Sequence, residues 1–147
     1  MIQQIKLPLF ILLLFTTLSG CVKDSEDIIP NVPFHAEVLN FETDPNYNQQ
    51  NPQIIRRDRN GFSIGHYGVV VYKVGAGIVY AFDLMCPYEK SGTSLVQKQD
   101  DDNYKCPTCG STYSVMTQYG SLLEGPSKFA LKPYRAEMDG NHLIIAN

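Results

Sequence analysis

Apolar residues in this chain come in short alternating or β-branched runs. Beyond residue 20, no segment of useful length carries the 3.6-residue apolar stripe of an amphipathic helix. The most secure element is a hairpin. Gly68 to Lys73 (GVVVYK) is rich in valine, Val74 to Gly77 (VGAG) turns the chain, and Ile78 to Asp83 (IVYAFD) returns it. A first strand is expected over Phe34 to Phe41, a short one over Gln53 to Arg57, and a brief extended piece over Phe62 to Gly65. Asp44 to Pro52 and the Asp58 to Gly61 turn separate them, both in loop-forming composition. Further along, Leu95 to Lys98, Tyr104 to Cys106 and Ser111 to Met116 read as short strands, with Asp100 to Asn103 as a turn. Leu123 to Phe129 reads as a loop, and Tyr134 to Met138 with His142 to Ile145 closes the chain as a hairpin around Asp139-Gly140-Asn141. Many short strands at close spacing predict an all-β antiparallel sandwich or small barrel.

The one long apolar run stands apart from this pattern. Met1 to Lys6 is a short, weakly basic stretch, and Leu7 to Leu18 is apolar but short for a membrane span. It ends in Leu18-Ser19-Gly20-Cys21, which resembles the lipobox of bacterial lipoproteins. That resemblance implies a signal peptide over 1–20 and a lipidated Cys21 at the new N-terminus, holding the protein to a membrane of the bacterial cell envelope. A cleaved signal with a chance cysteine is the plainer alternative. Residues 21–33 are then an acidic tether, and 34–147 the folded domain. Asp24, Glu26 and Asp27 resemble surface-export signals of some lipoproteins, although a solvated linker accounts for them as well.

Composition narrows the function classes. The 147 residues carry a formal net charge of −3 with no basic patch, which argues against nucleic acid as a partner. There is no phosphate-binding glycine loop, no Ser-His-Asp set and no pair of catalytic carboxylates, so an electron-transfer or binding protein is expected before an independent enzyme. His35, His66 and His142 are scattered without ligand spacing, and Asp100 to Asp102 read as a solvated hairpin tip.

The cysteines carry the chemistry. With Cys21 assigned to lipid, Cys86, Cys106 and Cys109 remain. An envelope location permits disulfides, but an odd number cannot all pair. Cys106 and Cys109 stand at Cys-x-x-Cys spacing, which suits a shared metal or a redox disulfide. Cys86-Pro87-Tyr88 and Cys106-Pro107-Thr108-Cys109-Gly110-Ser111 both follow strands, so two loop tips are expected to form one site. The fourth ligand is open between Tyr88, Ser111, an acid and solvent.

These loops resemble those of the Rieske family, an antiparallel β fold that holds a 2Fe-2S cluster between a Cys-x-His loop and a Cys-x-x-His-Gly-Ser-x-Tyr loop. The resemblance extends from Gly68 to Ile145, through Ala81-Phe82-Asp83 before Cys86 and Gly125-Pro126 after Tyr113. Both family histidines are replaced: Tyr88 stands at the first position and Cys109 at the second. The resemblance implies Cys86 and Cys106 on an inner iron, and Tyr88 and Cys109 on an outer one. It also makes Ser111 and Tyr113 hydroxyl donors to the cluster sulfurs. Three outcomes stay open. A 2Fe-2S cluster persists with altered ligands, at a potential lowered toward about −400 mV, and serves electron transfer or redox sensing with a partner protein. One zinc or iron binds the three cysteines. Or no metal binds: two thiols pair, as Cys86–Cys106 or Cys106–Cys109, or the scaffold serves as a non-redox binding or structural module.

Overall fold

The computed structural model describes residues 28–147. The expected signal peptide, the lipidation site Cys21 and the start of the 21–33 tether lie outside the described residues.

Among those residues the chain is all β apart from a single helical turn. In order it forms β1 (His35–Val38), α1 (Pro45–Asn48), β2 (Gln53–Ile55), β3 (Val69–Gly75), β4 (Ile78–Asp83), β5 (Gln97–Lys98), β6 (Tyr104–Lys105), β7 (Thr112–Tyr113), β8 (Leu122–Glu124), β9 (Pro133–Asp139) and β10 (His142–Ala146). A six-stranded sheet runs β1-β10-β9-β4-β3-β2, and a four-stranded sheet runs β5-β6-β7-β8. Every pairing is antiparallel. The small sheet is an excursion of the chain between β4 and β9. No helix among the described residues is long and apolar enough to cross a membrane.

The β3–β4 hairpin explains its own sequence. Side chains alternate across a strand, and here both faces are covered. Val69, Val71, Val79 and Ala81 enter one core with Ala36, Val38, Ile55, Leu143 and Ile145. Val70 and Phe82 enter a second core with Leu84, Val96, Tyr104, Tyr113 and Leu131. A strand buried on both faces needs an unbroken apolar run, hence Val69-Val70-Val71. β10 faces a core on one side only and alternates accordingly, with Leu143 and Ile145 buried. The hairpin turn places Gly75, Ala76 and Gly77 all at positive φ. Ala76 carries a side chain there at +51°, a conformation that disfavours it.

Several expectations change, and the strands expected over Gln53 to Arg57 and Ser111 to Met116 shorten to β2 and β7. The first strand ends at Val38, because Asn40 turns left-handed at φ +54°, although Phe41 still reaches the core. The 44–52 loop contains α1, whose Asp44 side chain accepts from the Asn46 N–H at 2.8 Å. No residue of α1 is fully buried and only Tyr47 packs against the core, so it leaves no apolar stripe to find. Phe62 to Gly65 reduces to one bridge, Arg57 to Ser63. The 123–129 loop begins within β8, a three-residue edge strand with mostly exposed side chains and so no alternation to read.

The folded body also takes in part of the expected tether. Ile29 is fully buried, and the buried Lys132 donates from Nζ to the Ile29 carbonyl at 3.3 Å and to the Asn31 side chain. Lys132→Met keeps the aliphatic stem but deletes both bonds. It should cost about 1–3 kcal/mol and speed amide exchange from Ile29 to Asn31, while β3 and β4 stay protected. Unchanged exchange in that segment would show that the lysine does not hold it.

Candidate metal centre

Each cysteine is placed by backbone pairing just beyond a strand. β4 runs on through Leu84 and Met85 to Cys86, with the Met85–Leu95 bridge and the Cys86 N–H on the Ser94 carbonyl at 3.2 Å fixing the exit. β6 delivers Cys106, whose N–H donates to the Ser111 carbonyl at 2.8 Å as the chain turns back into β7. The Ser94 and Thr108 hydroxyls meet at 2.8 Å and pin one loop to the other.

The Sγ atoms of Cys86, Cys106 and Cys109 all lie within 4.8 Å of one another. Cys86 and Cys109 approach to 3.7 Å. Cys86 and Cys106 are buried, and Cys109 is partly exposed. The three thiols are unpaired. The convergence expected of the two loops is thus present, and this group could hold a metal ion. Soft thiolate donors suit zinc, iron and copper(I).

Surrounding groups set the charge each sulfur can carry. Burial pushes the Cys86 thiol up to about 12, against the opposing pull of the Glu89 and Tyr88 backbone N–H groups and the Tyr113 hydroxyl at 3.7 Å. Burial also works against ionisation of Cys109. Hydrogen bonding with the Ser111 hydroxyl and N–H and with the two other thiols outweighs it, and holds Cys109 below the ordinary thiol value. Ser111 Oγ lies 3.2 Å from Cys109 Sγ and accepts from the Ser127 N–H at 3.1 Å. Burial likewise raises the Tyr113 phenol. Ser111 and Tyr113 therefore both touch the sulfurs.

Tyr88 is placed differently. It is 52% exposed, and lines a surface depression with Pro87, Lys90, Pro126, Lys128 and Phe129. The Gly125-Pro126 loop is the third wall of the site: a Cβ at Gly125 would lie 2.4 Å from the Ser111 Cα.

One polar cluster was invisible in the sequence. Asp83, fully buried at the end of β4, accepts from the Met85 N–H at 2.7 Å, the His66 N–H at 2.9 Å and the Tyr134 hydroxyl at 2.6 Å. The His66 ring nitrogen lies 3.2 Å away. His66 and Tyr134 come from segments distant from Asp83 and carry no spacing signal, so His66 read as an isolated residue. The cluster braces the strand end that feeds Cys86.

The size of the sulfur triangle bears on what it can hold. A tetrahedral ion with thiolates at about 2.3 Å sets its sulfurs about 3.8 Å apart. Three sulfurs within 4.8 Å of one another are compatible with the coordination sphere of one such ion. No protein-family model and no curated protein matches the chain.

Proposed function

We propose that this chain is a metal-binding lipoprotein of the bacterial envelope, and that it holds one thiolate-ligated ion at the tip of an all-β domain for electron transfer or redox sensing. The observation that carries it is the mutual approach of three cysteine sulfurs from two separate loops. Three thiols brought this close are well placed to share an ion, and Cys109, held low, is ready to ligate. A single iron so ligated would exchange one electron. Cys86, Cys106 and Cys109 would hold it, and Tyr113 and Ser111 would donate to the sulfurs and tune it. The partial exposure of Cys109 supports contact with a redox partner at the tip. A structural zinc site is the second reading, favoured by the burial of Cys86 and Cys106. The lipobox resemblance at Cys21 supports the membrane anchor, and the Rieske resemblance supports a redox role.

The full-length chain, purified in detergent without air, should contain one iron or zinc per chain and no acid-labile sulfide. Cys106→Ser should lower its metal content at least roughly tenfold, since a buried ligand is lost. Two irons with two sulfides would replace the single ion by the cluster that the Rieske resemblance implies. Metal-free protein with two thiols oxidised would leave the thiol–disulfide reading.

A further inference from the structure

The two cysteine loops are copies of one turn. In the first, Cys86 is followed by Pro87, and the Lys90 N–H returns to the Cys86 carbonyl at 2.9 Å. In the second, Cys106 is followed by Pro107, and the Gly110 N–H returns to the Cys106 carbonyl at 3.0 Å. The fifth residue of each is left-handed, Gly110 at φ +77° and Lys90 at +53°. Glycine takes that conformation freely and lysine does not. Lys90 holds it nonetheless, so the turn's shape is enforced at a position where its sequence resists it.

Superposing the turns in sequence pairs Cys86 with Cys106, Tyr88 with Thr108, and Glu89 with Cys109. The first positions of both turns supply sulfurs to the centre, and the fourth position of the second turn supplies Cys109, 3.7 Å from Cys86. The matching fourth position of the first turn is Glu89. The third position faces elsewhere: Thr108 bonds Ser94, and Tyr88 is exposed.

We propose that Glu89 is the fourth ligand, its carboxylate joining the thiolates of Cys86, Cys106 and Cys109 to complete a four-coordinate site; this rests on the single-ion reading above. Carboxylate oxygen is an ordinary fourth donor for a zinc-like ion. The carboxylate is not among the ligand atoms within 4.8 Å of one another. Ligation would require the side chain to turn toward them, and Glu89 is partly exposed rather than packed in the core. Three thiolates and a carboxylate leave a divalent ion with net negative charge, and Lys90 and Lys128 beside the loop offset part of it.

Anaerobic titration of the full-length chain with cobalt(II) tests this. Wild type should take one cobalt with tetrahedral ligand-field bands and sulfur-to-cobalt charge transfer. Glu89→Gln should bind at least roughly tenfold more weakly, with that three-thiolate charge transfer retained, because losing even an outer partner costs about that much. Glu89→Cys should gain the intensity of a fourth thiolate, and Tyr88→Phe should match wild type. Wild-type affinity in Glu89→Gln, or no added charge transfer in Glu89→Cys, overturns the assignment while the three-thiolate centre stands. A loss confined to Tyr88→Phe would give the vertex to the phenol. A wild type that binds no cobalt removes the parent reading instead.

Discussion

Gly125→Ala should lower the stability of the domain by about 3–5 kcal/mol, the sum of left-handed strain and forced overpacking. Gly125 sits at φ +110°, and an added Cβ would meet the Ser111 Cα at 2.4 Å and its Oγ at 2.8 Å. The first obstacle is backbone, and that backbone is already tied down by the Cys106 N–H on the Ser111 carbonyl. Neither side can yield without moving the second cysteine loop. Metal affinity should therefore fall with stability, by roughly 10–100-fold, as Ser111 is pushed off Cys109. Gly92→Ala supplies the contrast. Its Cβ would come closer still, 2.2 Å from the Tyr67 ring, but that ring is 46% exposed and can swing outward. The cost there should stay under about 1 kcal/mol. Thermal unfolding of the two variants reads the difference directly. Equal losses would mean that contact distance matters and the mobility of the obstacle does not.

Asp83→Ala should cost a similar amount, about 3–5 kcal/mol, for an electrostatic reason. The carboxylate is fully buried and satisfies the Met85 N–H, the His66 N–H and the Tyr134 hydroxyl at once. Removing it strands three donors away from water. Gly65 permits the close packing here, since a Cβ on it would meet Asp83 Oδ2 at 2.9 Å. Because Met85 directly precedes Cys86, loosening this end of β4 should also weaken metal binding. Tyr134→Phe removes one donor and leaves the other bonds, so a smaller loss of about 1–2 kcal/mol is expected. The pair has a pH signature. Burial first, then the charge and hydrogen bond of Asp83, raise the Tyr134 phenol above its ordinary value. The folded state thus favours the neutral phenol. Its contribution is complete below the unfolded tyrosine value of about 10 and is lost as pH climbs beyond it. Urea unfolding from about pH 8 to 11, a window that brackets that value, should show wild type losing stability more steeply than Tyr134→Phe. Parallel profiles would contradict this account.

The strand pattern was legible wherever burial is periodic. The β3–β4 hairpin is doubly buried, so Val69 to Val71 announced it, and the Leu143–Ile145 alternation announced β10. Elements that bury little left no trace: α1 sends only Tyr47 against the core, and β8 is a short edge. The Lys132 anchor could not be read either, because its partners Ile29 and Asn31 stand about a hundred positions away in a stretch composed like a tether.

By itself the sequence determined the all-β class, the two Cys-Pro corners and the sulfur chemistry they can support, because those depend on residue type and short-range spacing. Only the tertiary structure decided that the three sulfurs meet within one ion's reach, that Tyr88 is half exposed, and that the Cys86 and Cys106 corners close with the same backbone turn. It also decided that Asp83, His66 and Tyr134 share one buried carboxylate. Each of these is set by where the folded sheets bring distant loops together, and no local pattern in a linear chain encodes that distance.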